Sequence, residues 1–351
     1  MSVRLLFAML LALLPGSGFA QGYAGLGQKA GDGFQNPDPT LAPAFPQDHG
    51  PHPDFRIEWW YVTANLQDAD GQDYGIQWTL FRSAVRPYET DGWDSPQYWL
   101  AHAALTTPET HQVAEKLSRG GIGQAGVSVD PFAAWIDDWH MHGADASLDA
   151  LQLSANGDDF SYDLQLTATG PLVLQGENGY SVKSQSGQAS YYYSQPHFEV
   201  TGVVSPDGSA IPVTGQAWLD REWSSQPLDE GQSGWDWFSL RFEDGTKLMG
   251  FLLRGTSGVY SSGTWIDQTG QAFPLPVGAF AAKPLRFESA VSDDIPTTWH
   301  VKLPDRGVDI QVTAINPNAW MATSFSYWEG PVQVTGSHSG KGYLEMTGYG
   351  P

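Results

Sequence analysis

The amino-acid sequence predicts an all-β protein made of two related antiparallel β-barrels or sandwiches. Short runs in which Thr, Val, Tyr and Trp alternate with polar residues are typical of half-buried strands, and no segment has a long helical period. A short turn of helix is indicated only at Pro87–Asp94 and Ala114–Ser118. The strand-like runs are separated by tight-turn signals at Asp70-Gly71, Asn156-Gly157, Asn178-Gly179, Asp207-Gly208 and Asp244-Gly245.

The second half of the sequence repeats segments of the first half in the same order. Glu58-Trp59-Trp60 corresponds to Asp236-Trp237-Phe238, Tyr192–Pro196 to Tyr327–Pro331, and Gly215–Asp220 to Gly340–Glu345. A period well over about a hundred residues is too long for a solenoid and fits two copies of a whole domain. We therefore expect a first domain over residues 54–226 and a second over residues 227–351.

The N-terminus has the pattern of a secretory signal peptide over residues 1–20. Arg4 precedes an apolar run, Leu5–Leu14, and small residues end the segment at Ala20. Residues 21–53 are rich in Gly, Pro, Asn and Asp and predict an extended leader. We expect an exported protein, in a periplasm or outside the cell. Its stability must come from burial alone, because the chain has no cysteine for a disulfide.

The charge of the chain bears on its partners. With 17 basic and 39 acidic residues, the formal net charge is −22, which excludes nucleic acid as a partner. The 15 Trp, 14 Tyr and 16 Phe residues supply the large buried areas that a core without disulfides needs. No cofactor is predicted.

Several aromatic and acidic stretches resemble one protein family. They are Glu58–Tyr61, Ala189–Ser194, Ala217–Trp223, Gly234–Phe238 and Tyr327–Gly330. The sequence is similar to the lipocalin-like family of secreted AttH proteins and bacterial carotenoid 1,2-hydratases. The resemblance implies a tandem of two lipocalin-like (calycin) antiparallel β-barrels, the first of the hydratase type. The sequence departs from many relatives at Arg221, where they have His, so a proton-transfer role of that His is lost or moved.

Four carboxylates are candidates for a catalytic acid. Hydration of an unactivated alkene needs a protonated carboxyl group and an aromatic wall that stabilises a carbocation. On an extended strand, Trp218, Asp220 and Glu222 share one face, where the two carboxylates would raise each other's pKa. Glu58 and Asp236 lie in the equivalent Trp-rich segments.

These residues are also explained by a structural role. Lipocalin-type barrels are usually closed at one end by a Trp stacked on an Arg, with carboxylates that neutralise the guanidinium group. Trp59 or Trp237 could form such a plug with one of the arginines Arg82, Arg221, Arg241 and Arg254.

The remaining candidates are aromatic residues and histidines. The predicted ligand-binding residues are Trp60, Trp78, Trp99, His102, Tyr192, His197, Trp218 and Trp237. His102 and His197 could instead be hydrogen-bonded core residues. His140 and His142, or His49 and His52, could begin a metal site, but no further ligands are evident and we expect surface histidines and no metal.

Three functions follow from these observations. The first is the binding of an elongated apolar ligand, in one barrel or between the two, in lipid or isoprenoid metabolism or transport. The second is a carotenoid 1,2-hydratase-like lyase that adds water across an isoprenoid double bond. The third is a ligand-free accessory protein of an envelope transporter. A hydrolase is not supported, because no Gly-x-Ser-x-Gly elbow is present.

Overall fold

The structure is a computed structural model that describes residues 33–226 and 231–350. The predicted signal peptide, residues 21–32 of the predicted leader, and residues 227–230 lie outside the described residues. The described chain is all-β, with two short 3₁₀ turns at Gln47–His49 and Pro304–Arg306 and no α-helix, so the predicted fold class is confirmed.

The first sheet contains the strands of the N-terminal half. They are β1 (Ile57–Gln67), β2 (Asp73–Ala84), β3 (Gln97–Thr106), β4 (His111–Arg119), β5 (Ala125–Ser128), β6 (Ala133–Ile136), β7 (Trp139–Gly143), β8 (Ala150–Asn156), β9 (Ser161–Ala168), β10 (Val173–Leu174), β11 (Tyr180–Val182), β12 (Ala189–Ser205) and β13 (Ile211–Ser224). Their order is β4-β3-β2-β1-β13-β12-β9-β8-β7-β6-β5, and β10 and β11 pair with β12.

The second sheet contains the strands of the C-terminal half. They are β14 (Gln232–Phe242), β15 (Lys247–Gly255), β16 (Gly258–Ile266), β17 (Ala272–Pro274), β18 (Ala281–Arg286), β19 (Thr298–Leu303), β20 (Val308–Ala314), β21 (Trp320–Met321), β22 (Tyr327–Gly336) and β23 (Gly340–Met346). Their order is β17-β16-β15-β14-β23-β22-β20-β19-β18, and β21 pairs with β22.

The two sheets repeat one arrangement around their first strands. β1 lies between β2 and β13, and β14 lies between β15 and β23, all antiparallel. In both sheets, therefore, the first strand pairs with the next and with the last strand of its own half. Both sheets curl into nearly closed barrels, as expected for a tandem of lipocalin-like domains.

Both predicted turns of helix are wrong. Residues 87–94 form an irregular connection of bends and turns between β2 and β3. Ala114–Ser118 does not form a turn of helix but is part of β4, which pairs along β3 from Tyr98↔Arg119 to Thr106↔His111. The pairing with β3 satisfies the backbone of this segment, and tertiary pairing outweighs a weak local helical preference.

The alternation of side chains along β1 and β13 divides them between two environments. Trp60, Val62, Leu219 and Trp223 point into the hydrophobic core of the first barrel. Their neighbours on the other face are largely shielded from solvent, because the second sheet packs there. Tyr61, Trp218 and Tyr192 join Trp237, Phe251 and Tyr343 in a separate hydrophobic cluster between the two barrels. The sheets of this chain are thus buried on both faces where they meet.

Candidate functional site

The outer faces of the two sheets enclose a cavity of about 110 Å³. Its walls come from β1, β2, β12 and β13 on one side and from β14, β15 and β23 on the other. Its aromatic lining consists of Trp59, Tyr61, Phe81, Tyr192, Trp235, Trp237 and Phe251. Its charged or acidic lining consists of Asp220, Glu222, Glu345 and Lys183. An apolar cavity with a few convergent polar groups is the usual form of a small-molecule site.

Asp220 is held rigidly at the wall of this cavity. Its Oδ1 accepts hydrogen bonds from Ser194 Oγ at 2.5 Å and Trp218 Nε1 at 2.6 Å, and its Oδ2 accepts one from the Tyr192 hydroxyl at 2.6 Å. Burial raises the pKa of Asp220 to about 7, although these three hydrogen bonds favour the carboxylate. The predicted repulsion from Glu222 also acts, but it is a smaller cause than burial. Asp220 can therefore hold a proton near neutral pH.

Glu222 has a cationic partner. Lys183 Nζ lies 2.9 Å from Glu222 Oε1, and the same ammonium group lies over the rings of Tyr192 and Phe251, 4.7 and 4.6 Å from their centroids. Lys183 therefore contributes a positive charge to the cavity beside two aromatic faces.

The second sheet contributes carboxyl groups of its own. Glu345 lines the cavity and accepts a hydrogen bond from Trp235 Nε1 at 2.8 Å, and burial raises its pKa to about 8, with further contributions from Asp220 and Glu222. Its cross-strand neighbour Glu329 accepts a hydrogen bond from Tyr61. Burial and the charge of Glu345 raise the pKa of Glu329 well above its usual range. Acids of both sheets thus approach one another between the barrels.

Glu58, another predicted acid, belongs instead to an ion cluster at the end of the first barrel. Its oxygens accept hydrogen bonds from Arg82 and Arg221, and His52 Nδ1 lies 3.0 Å away. Burial alone would raise the pKa of Glu58, but Arg82, Arg221 and His52 hold it well below its usual range. Glu58 therefore stays ionised and cannot be a proton donor near neutral pH.

The predicted Trp–Arg plug is present at this end of the barrel, but with a different tryptophan. The Arg221 guanidinium stacks on Trp60 at 3.7 Å from the ring centroid, not on Trp59. Trp59 and Trp237 line the cavity between the sheets. The reason is the alternation along the strand, since Trp60 shares the inner face with Glu58 and Trp59 is on the opposite face.

The described part of the leader covers the same end. Trp60 Nε1 donates to the His49 carbonyl at 2.9 Å, and Arg221 Nη2 donates to the Gly50 carbonyl at 2.6 Å. His49 is buried against the Tyr193 hydroxyl, 2.6 Å from its Nδ1, and His52 stacks on Trp223 at 4.1 Å. The expectation that these two are surface histidines is therefore wrong, because the leader packs onto the barrel.

Asp236 occupies the position in the second barrel that corresponds to Glu58. It accepts a hydrogen bond from Arg254 Nε at 3.1 Å, and Arg254 stacks on Tyr349 at 3.9 Å. Burial raises the pKa of Asp236 to about 6, against the influence of Arg254 and Tyr349. Asp236 does not line the cavity between the sheets.

The predicted ligand-binding residues fall into four places. Tyr192 and Trp237 line the cavity, with Trp237 Nε1 donating to the Tyr192 hydroxyl at 3.1 Å, and Trp218 lies behind Asp220. Trp60, Trp78 and Trp99 are in the core of the first barrel. His102 lies at a second contact between the sheets and His197 near the loop at Gly270. Burial lowers the pKa of His197 to about 4.

Sequence reasoning missed Glu345, Glu329, Trp235, Lys183 and Tyr61. A signal for two of them was present, because the duplication aligns Glu345 with Asp220 and places Glu329 in the segment that matches Ser194. Tyr61 and Trp235 lie in segments that carry the family resemblance, but their place at the cavity, like that of Lys183, depends on the packing of one sheet on the other.

The comparison with known proteins concerns the family and the fold. Residues 36–349 match the family described as AttH-like. The chain belongs to the AttH-like family. The predicted resemblance is thereby confirmed. No curated protein sequence matches the chain.

Solved structures of similar proteins include an AttH protein, NE1406, from Nitrosomonas europaea. It is 36% identical, with a TM-score of 0.79 over 90% of this chain and 100% of that chain. Kievitone hydratase from Nectria haematococca is 14% identical, with a TM-score of 0.66 over 91% of this chain and 97% of that chain. CghA with Sch210972 is 12% identical, with a TM-score of 0.57 over 91% and 97%. At these low identities, kievitone hydratase and CghA are similar to this chain in fold alone.

Two further features concern the described residues alone. None of the helices in residues 33–226 and 231–350 has the length and apolar character needed to cross a bilayer. Within the same ranges, no three His, Asp or Glu side chains are grouped as a metal site requires.

Proposed function

We propose that this AttH-like protein binds an apolar small molecule, of lipid or isoprenoid type, in the cavity between its two sheets. The observation that carries this proposal is the aromatic lining supplied by both barrels, with Trp59 and Tyr61 facing Trp235, Trp237 and Phe251. Because a cavity of about 110 Å³ is too small for a whole lipid, we propose that it holds one end of an elongated ligand.

The binding proposal is tested by mass spectrometry of gently isolated protein and by titration of tryptophan fluorescence with fatty acids and linear isoprenoids. Trp59→Ala should weaken binding at least about tenfold, since it removes one aromatic wall. Trp135→Ala is the matched control, because Trp135 is also partly buried but does not line the cavity. Protein without any co-purified small molecule, and without response in the titration, would contradict the proposal and favour the transporter-accessory role.

A second function is favoured by the protonated acids of the cavity. In an acid-catalysed hydration, Asp220 gives its proton to one carbon of a C=C bond, and the cation on the other carbon is stabilised by the faces of Trp59 and Trp237. Water then adds to the cation and returns a proton to Asp220. The alkene and one water become one alcohol, and the acid is regenerated. The name of kievitone hydratase, a relative in fold, agrees with this reaction class.

The hydration proposal is tested with linear isoprenoid alkenes in ¹⁸O-labelled water. Wild-type protein should produce labelled alcohol, and Asp220→Asn should reduce its formation at least about a hundredfold, the lower range for loss of a general acid. Asp163→Asn, a change of an exposed acid on β9, is the control and should behave as wild type. Binding without labelled product would identify a carrier.

A further inference from the structure

A chain of hydrogen-bonded side chains runs from the cavity to the protein surface. Tyr61, which lines the cavity, donates to Glu329, and Tyr327 hydrogen-bonds the same carboxyl group from two residues away on β22. The Tyr327 hydroxyl lies 2.9 Å from His102 Nδ1, and His102 Nε2 lies 3.1 Å from Glu115 Oε1. The Glu115 side chain is 20% exposed, so the chain ends at solvent.

The middle of this chain is buried and packed against aromatic rings. Tyr327 and His102 are fully buried, and the His102 ring packs against Phe81 and Phe325 at 5.5 and 5.1 Å. At the outer end, Ser324 donates to Glu115 from its backbone N–H at 2.9 Å and from its hydroxyl at 2.6 Å. The groups are therefore held at hydrogen-bond distance from one another.

The protons of the chain balance in two states. In one, Glu329 is protonated and donates to the Tyr327 oxygen, Tyr327 donates to His102 Nδ1, and His102 Nε2–H donates to the Glu115 carboxylate. In the other, Glu115 is protonated and donates to His102 Nε2, His102 Nδ1–H donates to Tyr327, and Tyr327 donates to the Glu329 carboxylate. Both states contain three protons, and conversion moves one proton from Glu115 to Glu329 while each residue keeps its neighbour in the chain.

We propose that Glu115, His102 and Tyr327 conduct protons between solvent and the buried carboxyl group of Glu329, next to the cavity. This goes beyond the proposed function, because it holds whatever molecule the cavity binds. His102 and Tyr327 are positioning and relay residues here and do not touch the ligand cavity.

The electrostatic environment agrees with this path. Burial and repulsion from Glu345 raise the pKa of Glu329, and burial lowers the pKa of His102 despite its contact with Glu115. Burial by itself would raise the pKa of Glu115, but the hydrogen bonds of Glu115 with His102 and Ser324 lower this pKa to about 2. Near neutral pH the proton therefore rests on Glu329.

The test measures how fast the Glu329 proton exchanges for deuterium. Ligand-free protein is transferred into D₂O, and the shift of the carboxylic C=O infrared band of Glu329 is recorded over time. Glu329→Gln assigns the band by removing it. Tyr327→Phe interrupts the path while keeping the ring and should slow the exchange at least about tenfold. Tyr343→Phe is the matched control, because it removes another buried hydroxyl near Glu329 that is not in the chain.

A second variant keeps the test valid if Tyr327→Phe does not fold. Glu115→Gln changes a partly exposed side chain, cannot carry the proton, and should slow the exchange as well. Equal rates in wild type, Tyr327→Phe and Glu115→Gln would overturn the proposal, since the proton would then exchange by another route, from the cavity through Tyr61 or by separation of the two sheets. Absence of a Glu329 carboxylic band near neutral pH would also overturn it.

Discussion

Glu58 and Asp220 are both buried carboxyl groups of neighbouring strands, yet their environments give them opposite protonation. Glu58 lies inside the first barrel between the guanidinium groups of Arg82 and Arg221, which hold its pKa well below the usual range. Asp220 lies on the outer face, where its partners are the neutral groups Ser194, Tyr192 and Trp218, and burial raises its pKa to about 7.

This difference shows how one strand can separate structural and chemical roles. Asp220 and Arg221 are consecutive, so their side chains point to opposite faces of β13. The inner face closes the barrel with an ion cluster, and the outer face places a carboxyl group with a raised pKa at the cavity. Arg221 thus belongs to the barrel closure.

The largest expected effect is that of Glu58→Gln. Because it leaves Arg82 and Arg221 buried without their counter-ion, we expect a loss of about 3–5 kcal/mol in the free energy of unfolding, measured by urea denaturation. Asp220→Asn is the comparison variant and should cost much less near neutral pH, since its partners are uncharged. Similar losses for Glu58→Gln and Asp220→Asn would contradict the view that Glu58 neutralises buried arginines whereas Asp220 has only uncharged partners.

Asp220 and Glu58 should make the free energy of unfolding depend on pH in opposite directions. The pKa of Asp220 rises from its ordinary value of 3.8 to about 7 in the folded state, which therefore binds the proton more tightly than the unfolded chain. Its contribution is lost as the pH rises from about 4 to about 7, by up to roughly 4 kcal/mol. The contribution of Glu58 is lost only as the pH falls through its lowered pKa. Urea midpoints between pH 4 and 8 should decline less steeply for Asp220→Asn than for wild type and Asp163→Asn; parallel curves would refute the shift.

A smaller effect is expected in the second barrel. Asp236→Asn removes the charge opposite Arg254, but the Arg254 side chain is 22% exposed and stacks on Tyr349. Solvent screens the remaining charge, so we expect a loss of about 1–2 kcal/mol in urea denaturation. A loss as large as that of Glu58→Gln would mean that Arg254 is as well shielded from solvent as Arg82 and Arg221.

Much of the fold could be predicted from the sequence, because hairpin turns and strand alternation are local properties. The alternation also placed Asp220 and Glu222 on one face and Arg221 on the other, as the register of β1 with β13 confirms. It could not show that Trp60, and not Trp59, stacks on Arg221, since either face of β1 could be the inner one. The positions of Lys183 and Trp235 could not be predicted, because they depend on packing between distant strands.

The sequence by itself determined the β class, the duplicated segments and the division of each strand into two faces, because these follow from the fixed two-residue period of an extended chain. Only the tertiary structure decided what each face meets. Tyr61 reaches Glu329 across 268 positions of sequence, and Trp237 reaches Tyr192 across 45. Such contacts depend on how two curled sheets pack together, and that packing, by excluding water, converts ordinary aspartate and glutamate side chains into protonated acids.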